Sequence, residues 1–198
     1  MSEFRTPYAS YDVLAKWSTP SWDEQTRQVI TRRLTEIPPR RFFSQEEWDI
    51  VDAVAGRLVP QPDRPEPIPI VPWIDEKLHN NWGDGFRYAD MPPMGEAWRI
   101  GLQGIEEESR RRFRVAFTAL APEHQDAILR SVQDGRVEAA VWRRLSPQRF
   151  FSTVLLKEVV GVYYAHPAAW SEVGFGGPAS PRGYVRLAAN QRDPWEAR

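Results

Sequence analysis

The side chains best suited to acid–base or metal chemistry in this sequence are three histidines, His79, His124 and His166, and one carboxylate set among apolar neighbours, Glu158. The histidines lie far apart, and none stands in a spacing such as HExxH that would bring two imidazoles to one metal. Each reads as a surface or helix-end residue. Glu158 falls within an apolar helix, where burial could raise its pKa as acid catalysis requires. The plainer reading places it on the helix rim against an arginine. Glu47 is better explained as part of a helix cap. Cysteine is absent, which excludes disulfides, thiolate metal sites, iron–sulfur clusters and cysteine nucleophiles together. Gly174, Gly176 and Gly177 have neither a strand before them nor a helix after them, so they do not form a dinucleotide loop. There is no GxSxG elbow and no Walker loop. The inventory describes a chain that binds rather than reacts.

The elements that would position these residues are helices. Ser146 is a good N-cap and Pro147 a good first helical residue. Phe150, Phe151, Val154, Leu155, Val159 and Val162 then form an apolar surface wide enough for a central helix, ending near His166 and Pro167. A glycine- and aromatic-rich loop follows from Trp170 to Tyr184. Ser44 with Glu47 makes a capping box for a helix to Leu58, buried along Trp48, Val51, Val54, Ala55 and Leu58. From Pro60 to Pro72 the prolines predict an extended, polyproline-like strap, and Trp73 to His79 a helical turn or two. Asn80 to Met94 reads as a Gly-, Pro- and Asp-rich loop. Further helices are expected at Gln25–Leu34, from Gly95 to about Phe113, and from Pro122 to Asp134 with Gly135 as the stop. The pattern is all-α: an irregular bundle of about five helices with long Pro/Gly-rich connections. Residues 1–43 read as an aromatic arm, 44–184 as the helical domain and 185–198 as a tail with Trp195 as its possible anchor.

Charge narrows the partners. The 26 basic and 27 acidic residues nearly cancel, so no net field attracts nucleic acid or anionic lipid. Arg110, Arg111 and Arg112 are expected to pair with Glu106, Glu107 and Glu108 four residues earlier, as a solvated helix face. No apolar run approaches the roughly 20 residues that span a bilayer. Arg32-Arg33 and Arg40-Arg41-Phe42-Phe43 superficially suggest a twin-arginine export signal, but no apolar region follows either pair. A chain without a signal peptide is expected in the cytoplasm, or outside it only in company with a partner that carries the signal.

Several stretches occur in a recognisable order. Phe43-Ser44-Gln45-Glu46-Glu47 opens a helix that ends Arg57-Leu58-Val59-Pro60, and the proline strap leads to Trp73-Ile74-Asp75. Gly101-Leu102 with Ile105 follows, then Phe117, Leu120, Gln125 and Leu129, Phe150-Phe151, Tyr163-Tyr164, Pro167, Trp170, Gly174 to Pro178, and Gly183-Tyr184. From about Phe42 to Tyr184 the chain thereby resembles the gluconate 2-dehydrogenase subunit 3 family, small subunits of FAD-dependent sugar and polyol dehydrogenase complexes. The resemblance implies a non-catalytic accessory subunit without a cofactor of its own. It implies as partner a large flavoprotein of the glucose–methanol–choline type that holds FAD, with a cytochrome c or other acceptor taking the electrons. The strap and the C-terminal loop are then candidate contact surfaces, through Pro69, Pro72, Trp73, Tyr163, Tyr164, Trp170, Phe175, Gly176, Gly177 and Tyr184. The alternative is that these rings close the domain's own core. Two other functional readings are a self-sufficient enzyme using Glu158 or a histidine, and a scaffold or chaperone for a partner that is not an oxidoreductase.

Overall fold

The computed structural model describes residues 6–62, 64–83, 85, 86, 88–179, 183 and 194–197. Among them every regular element is helical, so the all-α class holds, with seven helices rather than about five. Helix α1 spans Glu24–Thr35, α2 Gln45–Leu58, α3 Ile70–His79, α4 Met94–Phe113 and α5 Pro122–Asp134. Helix α6 covers residues 147–164 and is α-helical over Pro147–Arg149, π-helical over Phe150–Leu155 and α-helical again over Leu156–Tyr164. The short α7 spans Pro167–Val173.

Local chemistry explains most of the boundaries. The capping box of α2 is formed: Ser44 Oγ accepts from Glu47 N–H at 3.1 Å, and Glu47 Oε2 accepts from Ser44 N–H at 2.9 Å. Pro122 and Pro147 both occupy first-turn positions, and Gly135 closes α5 with φ at 71°. Helix α3 starts at Ile70, three residues before the expected Trp73. Pro72 is tolerated because a first-turn N–H has no intrahelical acceptor. The expected stop at His166-Pro167 is also the start of α7. His166 Nδ1 accepts from Ala168 N–H at 3.2 Å, Pro167 supplies the first helical residue, and Gly174 ends the helix at φ 69°.

The chain divides into two compact units, one containing residues up to Ile37 and from Tyr163 onward, the other Pro38–Val162. In the larger unit the core runs through Val51, Ile74, Trp98, Ile105, Phe117 and Phe150, all fully buried, each worth about 1.5–3 kcal/mol of apolar transfer. Helix α4 admits its large neighbours through two glycines. A Cβ at Gly101 would lie 2.1 Å from the Phe150 ring, and one at Gly104 2.3 Å from the Trp142 ring. Buried carboxylates act as struts. Asp75 accepts from the backbone N–H groups of Arg41, Phe42 and Phe43, between 2.7 and 3.2 Å. Glu108 accepts from Glu138 and Ala139 N–H at 2.7 and 2.6 Å.

Those Glu108 bonds correct the expected ladder on α4. Only Glu106–Arg110 forms as read, at 2.7 Å. Glu107 accepts from Gln103, Arg111 reaches Glu138, and Glu108 turns inward. Two backbone donors in a buried setting outcompete a solvated Arg112. In the smaller unit Val13, Trp22, Ile30 and Trp170 form the core, with Tyr11, Trp17 and Phe175 packed against it.

Candidate partner-binding surface

The surface most unlike the rest of the chain begins where α3 ends. Asn81 takes a left-handed conformation at φ 52° and donates to Leu78 O at 3.1 Å, while Trp82 N–H reaches back to Lys77 O at 2.9 Å. This double closure is a Schellman turn with asparagine in the glycine position. It ends the helix abruptly and sends the chain outward. Trp82, Phe86 and Tyr88 follow within seven residues and stand 51%, 67% and 47% exposed. Large rings so exposed on one loop are unusual, because each leaves apolar area in water that burial would stabilise.

This loop is fastened. Arg149 of α6 bonds Asp90 at 2.7 Å and lies over the Tyr88 ring at 4.6 Å. Lys157 lies 5.7 Å from the Phe86 ring, and Phe86 meets Tyr88 edge-on at 6.1 Å. Between loop and helices is an open groove of about 630 Å³. Its floor is apolar, made by the buried Met91, Ala97 and Val154. Ser152 and Thr153 also line it, but their hydroxyls donate within the helix, to Gln148 O and Arg149 O. The wall of the groove is the π-helical stretch of α6, where Leu156 N–H bonds Phe151 O five residues back. Such wide turns recur at functional sites. The groove can bind apolar side chains.

Three of the four chemically capable residues have structural occupations. Glu158 is buried and bonds Lys77 Nζ at 2.7 Å, a lysine where an arginine was expected. His124 stacks on Phe113 with centroids 4.4 Å apart, His166 caps α7, and His79 is exposed in the last turn of α3. Among the described residues no three His, Asp or Glu side chains come together as a metal site would require. No described helix is long and apolar enough to cross a membrane.

The residues marked as contacts in the sequence separate into two groups. Pro69 and Pro72 line a second cleft, of about 410 Å³, between α2 and the proline segment, and Trp73 is half-buried beside them on α3. The others belong to the smaller unit. Trp170 is buried, meets Trp22 and Phe175 edge-on, and donates its Nε1–H to Tyr164 O at 2.6 Å. Tyr163 is buried with its hydroxyl on Glu172 Oε2 at 2.6 Å, whereas Tyr164 is 48% exposed. Gly176 and Gly177 are buried, Gly177 against the Trp22 and Trp170 rings. Tyr184 lies outside the described residues. Trp82, Phe86 and Tyr88 were not among the residues marked in the sequence. Their signal was three rings within a stretch of Gly and Asp that has no apolar periodicity to bury them.

Neither the curated proteins nor the solved structures contain a significant match. The family model described as Gluconate 2-dehydrogenase subunit 3 matches residues 45–177, from the first residue of α2 to the glycines after α7. Because that match takes in well over half of its length, the chain belongs to the gluconate 2-dehydrogenase subunit 3 family.

Proposed function

We propose that this chain is a non-catalytic accessory subunit that binds and stabilises the FAD-containing, glucose–methanol–choline-type catalytic subunit of a sugar dehydrogenase complex acting on a gluconate-, glucose- or glucoside-type substrate. The observation that carries the reading is the exposed ring cluster Trp82, Phe86 and Tyr88 beside an apolar groove. Family membership supports it, since the family is named for one subunit of a dehydrogenase. In this reading the flavoprotein covers the groove and recovers the apolar area now in water. Hydride abstraction and FAD binding belong to that partner, and electrons pass onward to a cytochrome c or another acceptor. Glu158, His124 and His166 serve the fold.

Affinity purification from the native source tests the proposal. A yellow complex with flavin absorption bands and a second, larger polypeptide is the expected result. A colourless chain that purifies alone and remains folded overturns it and favours a scaffold for some other partner.

A further inference from the structure

The cleft between α2 and the proline segment holds a charge with no counter-ion in its walls. Trp48 and Asp52 stand four residues apart on α2 and so share one face. Pro67, Pro69 and Pro72 form the opposite wall. The walls are preorganised: Gln61 accepts from Ile68 N–H at 2.8 Å and donates to Ile68 O at 3.4 Å, which clips the proline segment shut on itself. Among the described residues lining the cleft, Asp52 is the one charged group. Its neighbour Asp49 adds a second negative charge and is engaged by Gln45 at 2.7 Å. Asp52 stands exposed at the mouth of the cleft, and the walls' partial desolvation together with the Asp49 charge pushes its carboxyl upward. Asp126 on α5 shows the opposite situation, held below the usual range by the hydrogen bonds of Arg57.

The cleft is open at its α2 edge. A Cβ on the exposed Gly56, which lines the same cleft one turn beyond Asp52, would meet no atom within 4 Å. We infer that this cleft receives an arginine side chain of the partner subunit, its guanidinium on the Asp52 carboxylate and its plane against the Trp48 indole. An anion is excluded by the paired negative charges. A lysine fits less well, because a flat indole beside a carboxylate matches a planar fork of donors better than a point charge. The prolines supply a rigid apolar wall for the arginine methylenes at little entropic cost. The identity of the partner rests on the accessory-subunit reading, whereas the chemistry of the cleft does not.

Nuclear magnetic resonance titration of the full chain with the peptide acetyl-Gly-Arg-Gly-amide tests the cleft directly. The Trp48 indole and Asp52 signals should shift saturably, and the citrulline analogue, isosteric but uncharged, should bind at least tenfold more weakly. Asp52→Asn should abolish the preference for arginine. Gly56→Leu should block binding by filling the open space, on an exposed helix face where the change favours helix. Helical circular dichroism should be unchanged in both. Equal binding of the two peptides, or no shift at Trp48 and Asp52, overturns the inference. Capture of the flavoprotein separates the two claims. If both variants capture it as well as the native chain, the cleft reading fails while the accessory role stands. If no flavoprotein is captured but the arginine peptide binds, the accessory role fails and the cleft stands.

Discussion

Trp170 and Trp82 each sit a few residues from glycine and a second ring, in Trp170-Ser171-Glu172-Val173-Gly174-Phe175 and Trp82-Gly83-Asp84-Gly85-Phe86, yet they meet opposite fates. Trp170 rides on α7, is 4% exposed, packs with Val13, Trp22 and Ile30, and has its indole N–H bonded. Trp82 follows a helix that a Schellman turn has just ended, and is 51% exposed. The rings are equivalent; the backing differs. Burial depends on what the remainder of the chain brings to a ring, so an aromatic-rich segment becomes a binding candidate only when nothing in its own unit covers it.

Alanine substitution should split the two tryptophans most widely. Trp170→Ala removes a buried ring and strands a carbonyl, so it should cost about 3–5 kcal/mol, whereas Trp82→Ala should change stability by no more than about 0.5 kcal/mol. Urea unfolding followed by circular dichroism measures both, and comparable costs would erase the distinction. Glycines sharpen it next. Gly174 and Gly85 both have positive φ, 69° and 78°. A Cβ at Gly174 would also lie 2.7 Å from the Tyr8 ring and 2.8 Å from Ala197 Cβ, while one at Gly85 would meet nothing. Gly85→Ala should cost about 1 kcal/mol of backbone strain. Gly174→Ala should add crowding, for a total of about 2–4 kcal/mol.

The exposed rings should matter in binding. Phe86→Ala combined with Tyr88→Ala should leave the melting temperature near that of the native chain and weaken capture of the flavoprotein by about tenfold or more. A stable double variant that captures normally would move the interface away from the groove.

How far these features could be read in advance depends on their range. The capping box of α2, Pro122 with Gly135, and Ser146 with Pro147 are decided within one helical turn, and each was legible. Helix α7 carried its own signals in His166, Pro167 and Gly174, but a proline that ends one helix was not also read as beginning another. The inward turn of Glu108 depends on Glu138, thirty residues away, and the π-helical stretch of α6 lies against Gly101 of another helix. The exposed loop was the least legible. Its rings are identified by the lack of apolar neighbours to bury them, which the missing apolar periodicity around them signals only indirectly. The cleft was half-visible, because the proline segment was marked while Trp48 was read as part of the buried face of α2 and Asp52 was not singled out.

Mild acid gives the smallest effect, acting on the unit that carries the exposed loop through groups outside that loop. Asp126 is held below the usual aspartate range by the Arg57 hydrogen bonds. Its contribution is therefore complete above the unfolded pKa and is lost as pH falls through the aspartate range toward the lowered value. The two side chains are 20% and 28% exposed, so the pair should supply no more than about 1 kcal/mol. Asp52 has the opposite sign. Its raised pKa makes the charged form a cost to folding at neutral pH, and that cost disappears as pH falls through the raised value toward the unfolded one. Because this carboxylate stands partly in water, the cost should be about a few tenths of a kcal/mol. Asp52→Asn should therefore raise stability slightly at neutral pH and steepen the loss on acidification, while Asp126→Asn should lower neutral stability and flatten the acid limb. Urea midpoints between pH 7 and about pH 3 measure both slopes. Parallel slopes in the two variants would mean that Asp52 already has a cation within the chain, leaving the cleft no unmet charge to offer a partner.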